Sequence, residues 1–145
     1  MVRFLTEDTS FSFRGRNLCR HWLSEVASKE NKTIGVVSVV FCSDPYILDV
    51  NRRFLGHDYY TDIITFDYCS GCVLSGDLII SIDTVRANAR EYGASLYDEL
   101  HRVIVHGLLH LIGYDDHTEE DIAVMRSKEN EALLLLSSLN GGVDE

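Results

Sequence analysis

Between His106 and His117 the chain reads His-Gly-Leu-Leu-His-Leu-Ile-Gly-Tyr-Asp-Asp-His, and no other stretch restricts the fold so tightly. His106 and His110 stand one helical turn apart, so on a helix both imidazoles leave the same face and reach one ion. Gly113 follows the last apolar position, where a residue free to take positive φ ends the helix and lets the chain double back. The return brings a third donor to the pair, and His117 is the histidine in place to provide it. Three protein ligands leave one position open for water or substrate, which separates a catalytic zinc from a closed structural one.

Val103, Ile104, Leu108, Leu109, Leu111 and Ile112 surround the pair, so this helix is packed. In the familiar zinc-peptidase helix a glutamate directly after the first histidine serves as general base. Here that position is Gly107, which makes a peptidase a minor alternative.

The run from His106 to Asp115 resembles the signature of the YbeY family, metal-dependent endoribonucleases of bacterial ribosomal RNA maturation. Upstream, Asn51, Phe54, Asp58 and Thr61-Asp-Ile-Ile-Thr-Phe66 resemble a second block of that family, and Gly76-Asp-Leu-Ile-Ile80 a third. The resemblance implies a zinc-dependent hydrolase acting on phosphodiester bonds of single-stranded RNA. Its implied substrate is precursor 16S ribosomal RNA and its implied partner the small ribosomal subunit. It also puts the third ligand six residues beyond the second histidine, which is Asp116. The third ligand is therefore His117 or Asp116, and His117 is favoured because turns absorb a one-residue insertion easily. Asp115 or Asp116 is further available to orient a ligand histidine. Leu55 stands where the family generally carries an arginine for the RNA phosphate, and His57 where it often has lysine. Arg52 or Arg53 is the candidate replacement from a neighbouring turn, although a displaced arginine presents its fork from another direction. A ribosome-assembly factor with a structural zinc and little or no catalysis is the alternative reading.

A length of 145 residues with 46% hydrophobic content suits one compact domain, with 1–139 as the metal-dependent hydrolase domain and 140–145 as a flexible acidic tail. No apolar run approaches membrane-spanning length and no basic leader precedes a hydrophobic segment, so the cytoplasm is expected, without a membrane partner. Four cysteines at 19, 42, 69 and 72 fit reduced thiols, and Cys69-Ser-Gly-Cys72 has no partner pair with which to close a metal site. The net charge of −10 opposes general affinity for nucleic acid. Much of the acid falls near the C-terminus, whereas Arg14, Arg16, Arg20, Arg52 and Arg53 lie elsewhere.

The pattern predicts an α/β fold with α+β character: a mixed, mostly parallel sheet of about four strands with one antiparallel hairpin, packed by five or so helices. Strands are expected at Val2–Thr6, Thr33–Cys42, Ile63–Tyr68 and Val73–Ile82, with a further extended piece at Phe11–Phe13. Helices are expected at Arg16–Lys29, Tyr46–Leu55, Asp83–Tyr92, from Ser95 or Asp98 through the histidine pair, and after a Thr118/Asp121 capping box with Ile122, Met125, Ala132, Leu133 and Leu136 as its apolar stripe. Asp62 and Asp77, beside strand starts, read as turn-stabilising residues, while Thr61 and Thr65 are available to donate to a phosphate.

Overall fold

A computed structural model describes residues 1–141. Four strands form one sheet: β1 (Val2–Thr6), β2 (Thr33–Cys42), β3 (Ile63–Asp67) and β4 (Val73–Ser81). Their order is β1-β2-β4-β3, with β1, β2 and β4 parallel and β3 antiparallel to β4. Five α-helices pack on this sheet: α1 (Arg16–Lys29), α2 (Asp44–Val50), α3 (Ile82–Tyr92), α4 (Leu96–Ile112) and α5 (Glu119–Gly141). The expected mixed sheet with one hairpin and five helices is the architecture found. Phe11–Phe13 is not a strand; Phe13 instead stacks on Phe4, with ring centroids 5.0 Å apart, and joins the core.

The parallel strand β2 is buried over its second half, as its run of valines requires. One core lies between the sheet and α1, α4 and α5, and includes Trp22, Val39, Leu78, Ile104 and Leu108. Trp22, fully buried on α1, donates its indole N–H to the Ala132 carbonyl of α5 at 2.7 Å, which ties the two helices. A smaller cluster, Cys42, Ile47, Val50 and Ile64, fills the space under α2. Burial pushes the Cys19 and Cys42 thiols up to about 12, so both pack as apolar residues.

The second helix departs from expectation at both ends. Ser43 caps it by accepting from the Tyr46 N–H, and Pro45 suits its first turn, so it starts at Asp44. Beyond Val50 the chain widens into a π-helical turn over Asn51–Leu55. Ser81, not Asp83, caps α3, while the Asp83 carboxylate accepts from the Asp44 N–H at 2.9 Å. The helix α5 continues through Asn140 and Gly141, where a tail was expected; the remaining tail positions, 142–145, lie outside the described residues.

Candidate metal centre

The helix α4 starts at Ser95, whose hydroxyl accepts from the Asp98 N–H at 3.1 Å. Its apolar face presses on β3 and β4. A Cβ built on Gly107 would lie 2.8 Å from Ile63 Cδ1 and from Leu78 Cδ2, so glycine is what lets the helix come this close to the sheet. The same contact leaves no room for a glutamate after His106. Close approach sets His106 and His110 beside the end of the sheet, with their rings crossed at 84°.

Gly113 stops α4 at φ 126°, and its N–H reaches back to the carbonyls of His110 and Leu109 at 3.1 Å each. The chain reverses, and Asp116 comes up to the two imidazoles. Thr118 and Asp121 then start α5 through reciprocal bonds, Asp121 N–H to Thr118 Oγ1 at 3.0 Å and Thr118 N–H to Asp121 Oδ2 at 3.4 Å.

His106 Nε2 lies 3.0 Å from His110 Nε2, and Asp116 Oδ2 lies 3.4 Å from each. Donor atoms bound tetrahedrally at about 2.0–2.1 Å stand about 3.3 Å apart, so the three atoms are spaced as ligands of one metal ion would be. Proton accounting leads to the same place. The buried Glu129 carboxylate accepts from His106 Nδ1–H at 2.7 Å and from Arg102 at 2.9 Å. With its proton on Nδ1, His106 turns a lone pair toward the point that His110 and the Asp116 carboxylate also face.

Burial opposes charge on His106, but the hydrogen bond and negative charge of Glu129, with Asp116 and Asp62 behind, raise its pKa above the ordinary value. Burial alone would raise the Glu129 carboxyl; the bonds from His106 and Arg102 outweigh it and hold the group below the usual range. This pairing was not visible in the sequence, because Glu129 lies 23 residues from His106 on another helix. The Asp115 carboxylate, considered for that orienting role, instead lies 4.0 Å from His117 on the surface.

The other expected site residues are placed differently. The His117 side chain is 80% exposed and stays outside the cluster, because the turn leaves Gly113 in a direction that aims Asp116 inward. Arg52 pairs with Asp58, and Arg53 pairs with Asp49 at 3.3 Å. Neither arginine lines the cavity of about 430 Å³ onto which His106, His110 and Asp116 open. Leu55, His57, Tyr59, Thr61 and Thr65 do line it. Asp62 lies where that cavity meets a second of about 250 Å³, which also reaches Glu99 and Arg126. Burial raises the Asp62 carboxyl against the pull of His106. Ile122, expected on the apolar stripe of α5, is instead exposed at the rim of the second cavity, while Met125, Ala132 and Leu136 are buried as expected.

The fold and the cluster together define a class: an α/β protein carrying a two-histidine, one-carboxylate metal-type site with an open side. Comparison with known proteins narrows it. The family model described as Endoribonuclease YbeY matches residues 2–137. Proteins named Endoribonuclease YbeY from Porphyromonas gingivalis and Bacteroides thetaiotaomicron are similar to this chain. The first is 49% identical over 97% of the chain and 93% of its own length, the second 48% over 92% and 98%. A solution structure of a Thermotoga maritima protein covers all of this chain and 97% of its own, with a TM-score of 0.64 at 27% identity. The chain belongs to the YbeY family.

Among the described residues no helix is long and apolar enough to cross a membrane.

Proposed function

We propose that this chain works as a zinc-dependent endoribonuclease, with one ion held by His106, His110 and Asp116. Family membership makes it an endoribonuclease of ribosomal RNA maturation. The convergence of three donor atoms beside a cavity of about 430 Å³ supports the metal assignment. Two imidazoles and a carboxylate form a donor set that zinc accepts, and the open side matches a catalytic site better than a closed structural one.

When bound, the ion would polarise the scissile phosphate and lower the pKa of a water beside it. The chain's own part is positional. Glu129 fixes the tautomer and angle of His106, and Arg102 keeps Glu129 ionised. Thr61 and Thr65 line the cavity where phosphate oxygens would lie, and the packed core beneath α4 supports the donors before any ion arrives. Arg52 or Arg53 contributes phosphate contact only by giving up Asp58 or Asp49.

We assign precursor 16S ribosomal RNA as substrate, the small ribosomal subunit as partner and the cytoplasm as the place of action. This rests on family membership. A peptidase reading finds no support, since Gly107 is packed against Leu78 and Ile63.

Cleavage of a labelled single-stranded RNA by the wild type and by His110→Ala, purified side by side with zinc content measured on both, tests the assignment. Cleavage by wild type alone, with zinc missing from the variant, is expected. Equal cleavage by both, or full zinc in His110→Ala, overturns it. Retention of fold after chelation distinguishes this reading from an assembly factor with a structural zinc.

A further inference from the structure

The wall of the cleft opposite α4 is the segment Asn51–Thr61, and its composition is unusual for a surface. Phe54 is 64% exposed, Tyr59 and Tyr60 each 56%, and Leu55 45%. Exposed apolar residues scattered singly need no explanation, but four within seven positions do. Two rings here are also set in a fixed arrangement. His57 and Tyr59 stack at an interplanar angle of 16° with centroids 5.2 Å apart, and the Tyr59 hydroxyl meets His57 Nδ1 at 3.0 Å.

The fully buried Asn51 anchors this arrangement. Its side-chain amide donates to the Tyr59 carbonyl at 2.9 Å, and its own carbonyl accepts from the His57 N–H at 3.1 Å. The path of the chain that carries both rings is therefore tied to the π-helical turn through Asn51, and both residues line the same cavity as His106, His110 and Asp116. A π-helical turn is rare and marks functional sites more often than others.

Charge decides between the two ways such a wall can hold RNA. Phosphate recognition needs cations at the site, yet among the described residues no lysine or arginine lines this cavity and Arg52 and Arg53 are engaged by Asp58 and Asp49, on a chain of net charge −10. Base stacking needs flat exposed rings beside the donor cluster, and His57 and Tyr59 line the same cavity as that cluster. Stacking on an aromatic side chain is worth about 1–3 kcal/mol per base and tolerates any base. We propose that His57 and Tyr59 form a stacking platform for an unpaired base of single-stranded RNA, next to the phosphodiester at the metal centre. The inference rests on the nuclease reading above. It makes stacking, rather than phosphate pairing, the source of grip on that wall, and it explains how Leu55 is tolerated in the lining.

Paired bases are hidden inside the helix, so the platform also selects single strands. Its electrostatic signature is weak. A single strand releases counterions with a slope of about −0.7 per neutralised phosphate, so a cavity lined by no lysine or arginine gives a shallow salt dependence.

Binding of a short 2′-O-methyl oligoribonucleotide carrying one 2-aminopurine, read by quenching on the zinc-loaded protein, tests this. Tyr59→Ala is expected to weaken binding about tenfold or more and to abolish most of the quenching. Tyr59→Phe should recover most of both, because the ring remains. Tyr68→Ala removes an equally exposed tyrosine away from the cavity and should change neither. The log–log salt slope should be no steeper than about −2. His57→Ala, with a melting curve and zinc content for every variant, guards against a folding artefact. If Tyr59→Ala and His57→Ala bind as wild type does while wild type cleaves RNA, the platform is wrong and the nuclease reading stands. If wild type neither binds nor cleaves, the nuclease reading fails and the platform falls with it.

Discussion

The two walls of the cleft are built in opposite ways. On the α4–α5 side His106 is held by Glu129 and Glu129 by Arg102, and both ligand histidines ride on a helix pressed on the sheet through Gly107. On the Asn51–Thr61 side the side chains stand in solvent, and one buried amide, Asn51, holds the path of the chain. A metal site needs donor atoms fixed to within a fraction of an ångström, which rigid elements supply. A surface that meets many bases needs flat area and little directionality. The difference teaches that precision in this molecule is confined to the wall that would hold the ion.

The sharpest break of that comparison is removal of a donor. Asp116→Ala is expected to lose stoichiometric zinc, whereas His117→Ala keeps it, as read by metal analysis after dialysis. Zinc retained in Asp116→Ala and lost in His117→Ala would transfer the third position to His117.

Next in size is Glu129. Glu129→Gln keeps the shape and weakens the acceptor for His106, so zinc affinity should fall about 10- to 100-fold by competition with a chelating dye. Glu129→Ala should in addition lower stability by about 3 kcal/mol, because Arg102 is left half-buried without its carboxylate. Unchanged affinity in both variants would mean that the helix alone orients His106. Asn51→Ala is the matching cut in the other wall. It should cost about 1–3 kcal/mol for the lost buried bond and weaken RNA binding while zinc content holds, so the two walls fail separately. Loss of zinc in Asn51→Ala would show that they are one unit.

How far each wall could be read from sequence follows the same division. The histidine pair was legible because helical spacing is a local property, and α1 was expected over the residues it occupies, Arg16–Lys29. The choice between Asp116 and His117 was not legible, since it depends on the direction in which the chain leaves Gly113 at φ 126°. Glu129 could not be paired with His106 before α4 and α5 were seen to pack together. On the other wall, helical periodicity continued smoothly through Asn51–Leu55 and hid the π-helical widening, which turns on one extra residue per turn. The arginines suggested a phosphate grip, and their acidic neighbours Asp49 and Asp58 took them instead.

The smallest expected effect concerns a histidine outside both walls. His101 lies on α4, edge-on to Trp22, Phe13 and Tyr97, with centroid separations of 5.7, 6.1 and 5.8 Å. Burial lowers its pKa, and the nearby Asp98 only partly restores it. The sign follows from proton counts. Below about 6.5 the unfolded chain binds a proton at this residue that the folded chain does not, so stability rises with pH there and falls as the solution is acidified. The contribution is intact above the unfolded value and lost as pH falls through the folded one. His101→Phe retains an aromatic ring and removes the titration, so its loss of melting temperature between neutral and mildly acidic pH should be shallower than that of wild type. Parallel curves for the two proteins would mean that the imidazole protonates in place, and that the aromatic cage around α4 is open enough to hydrate a charge.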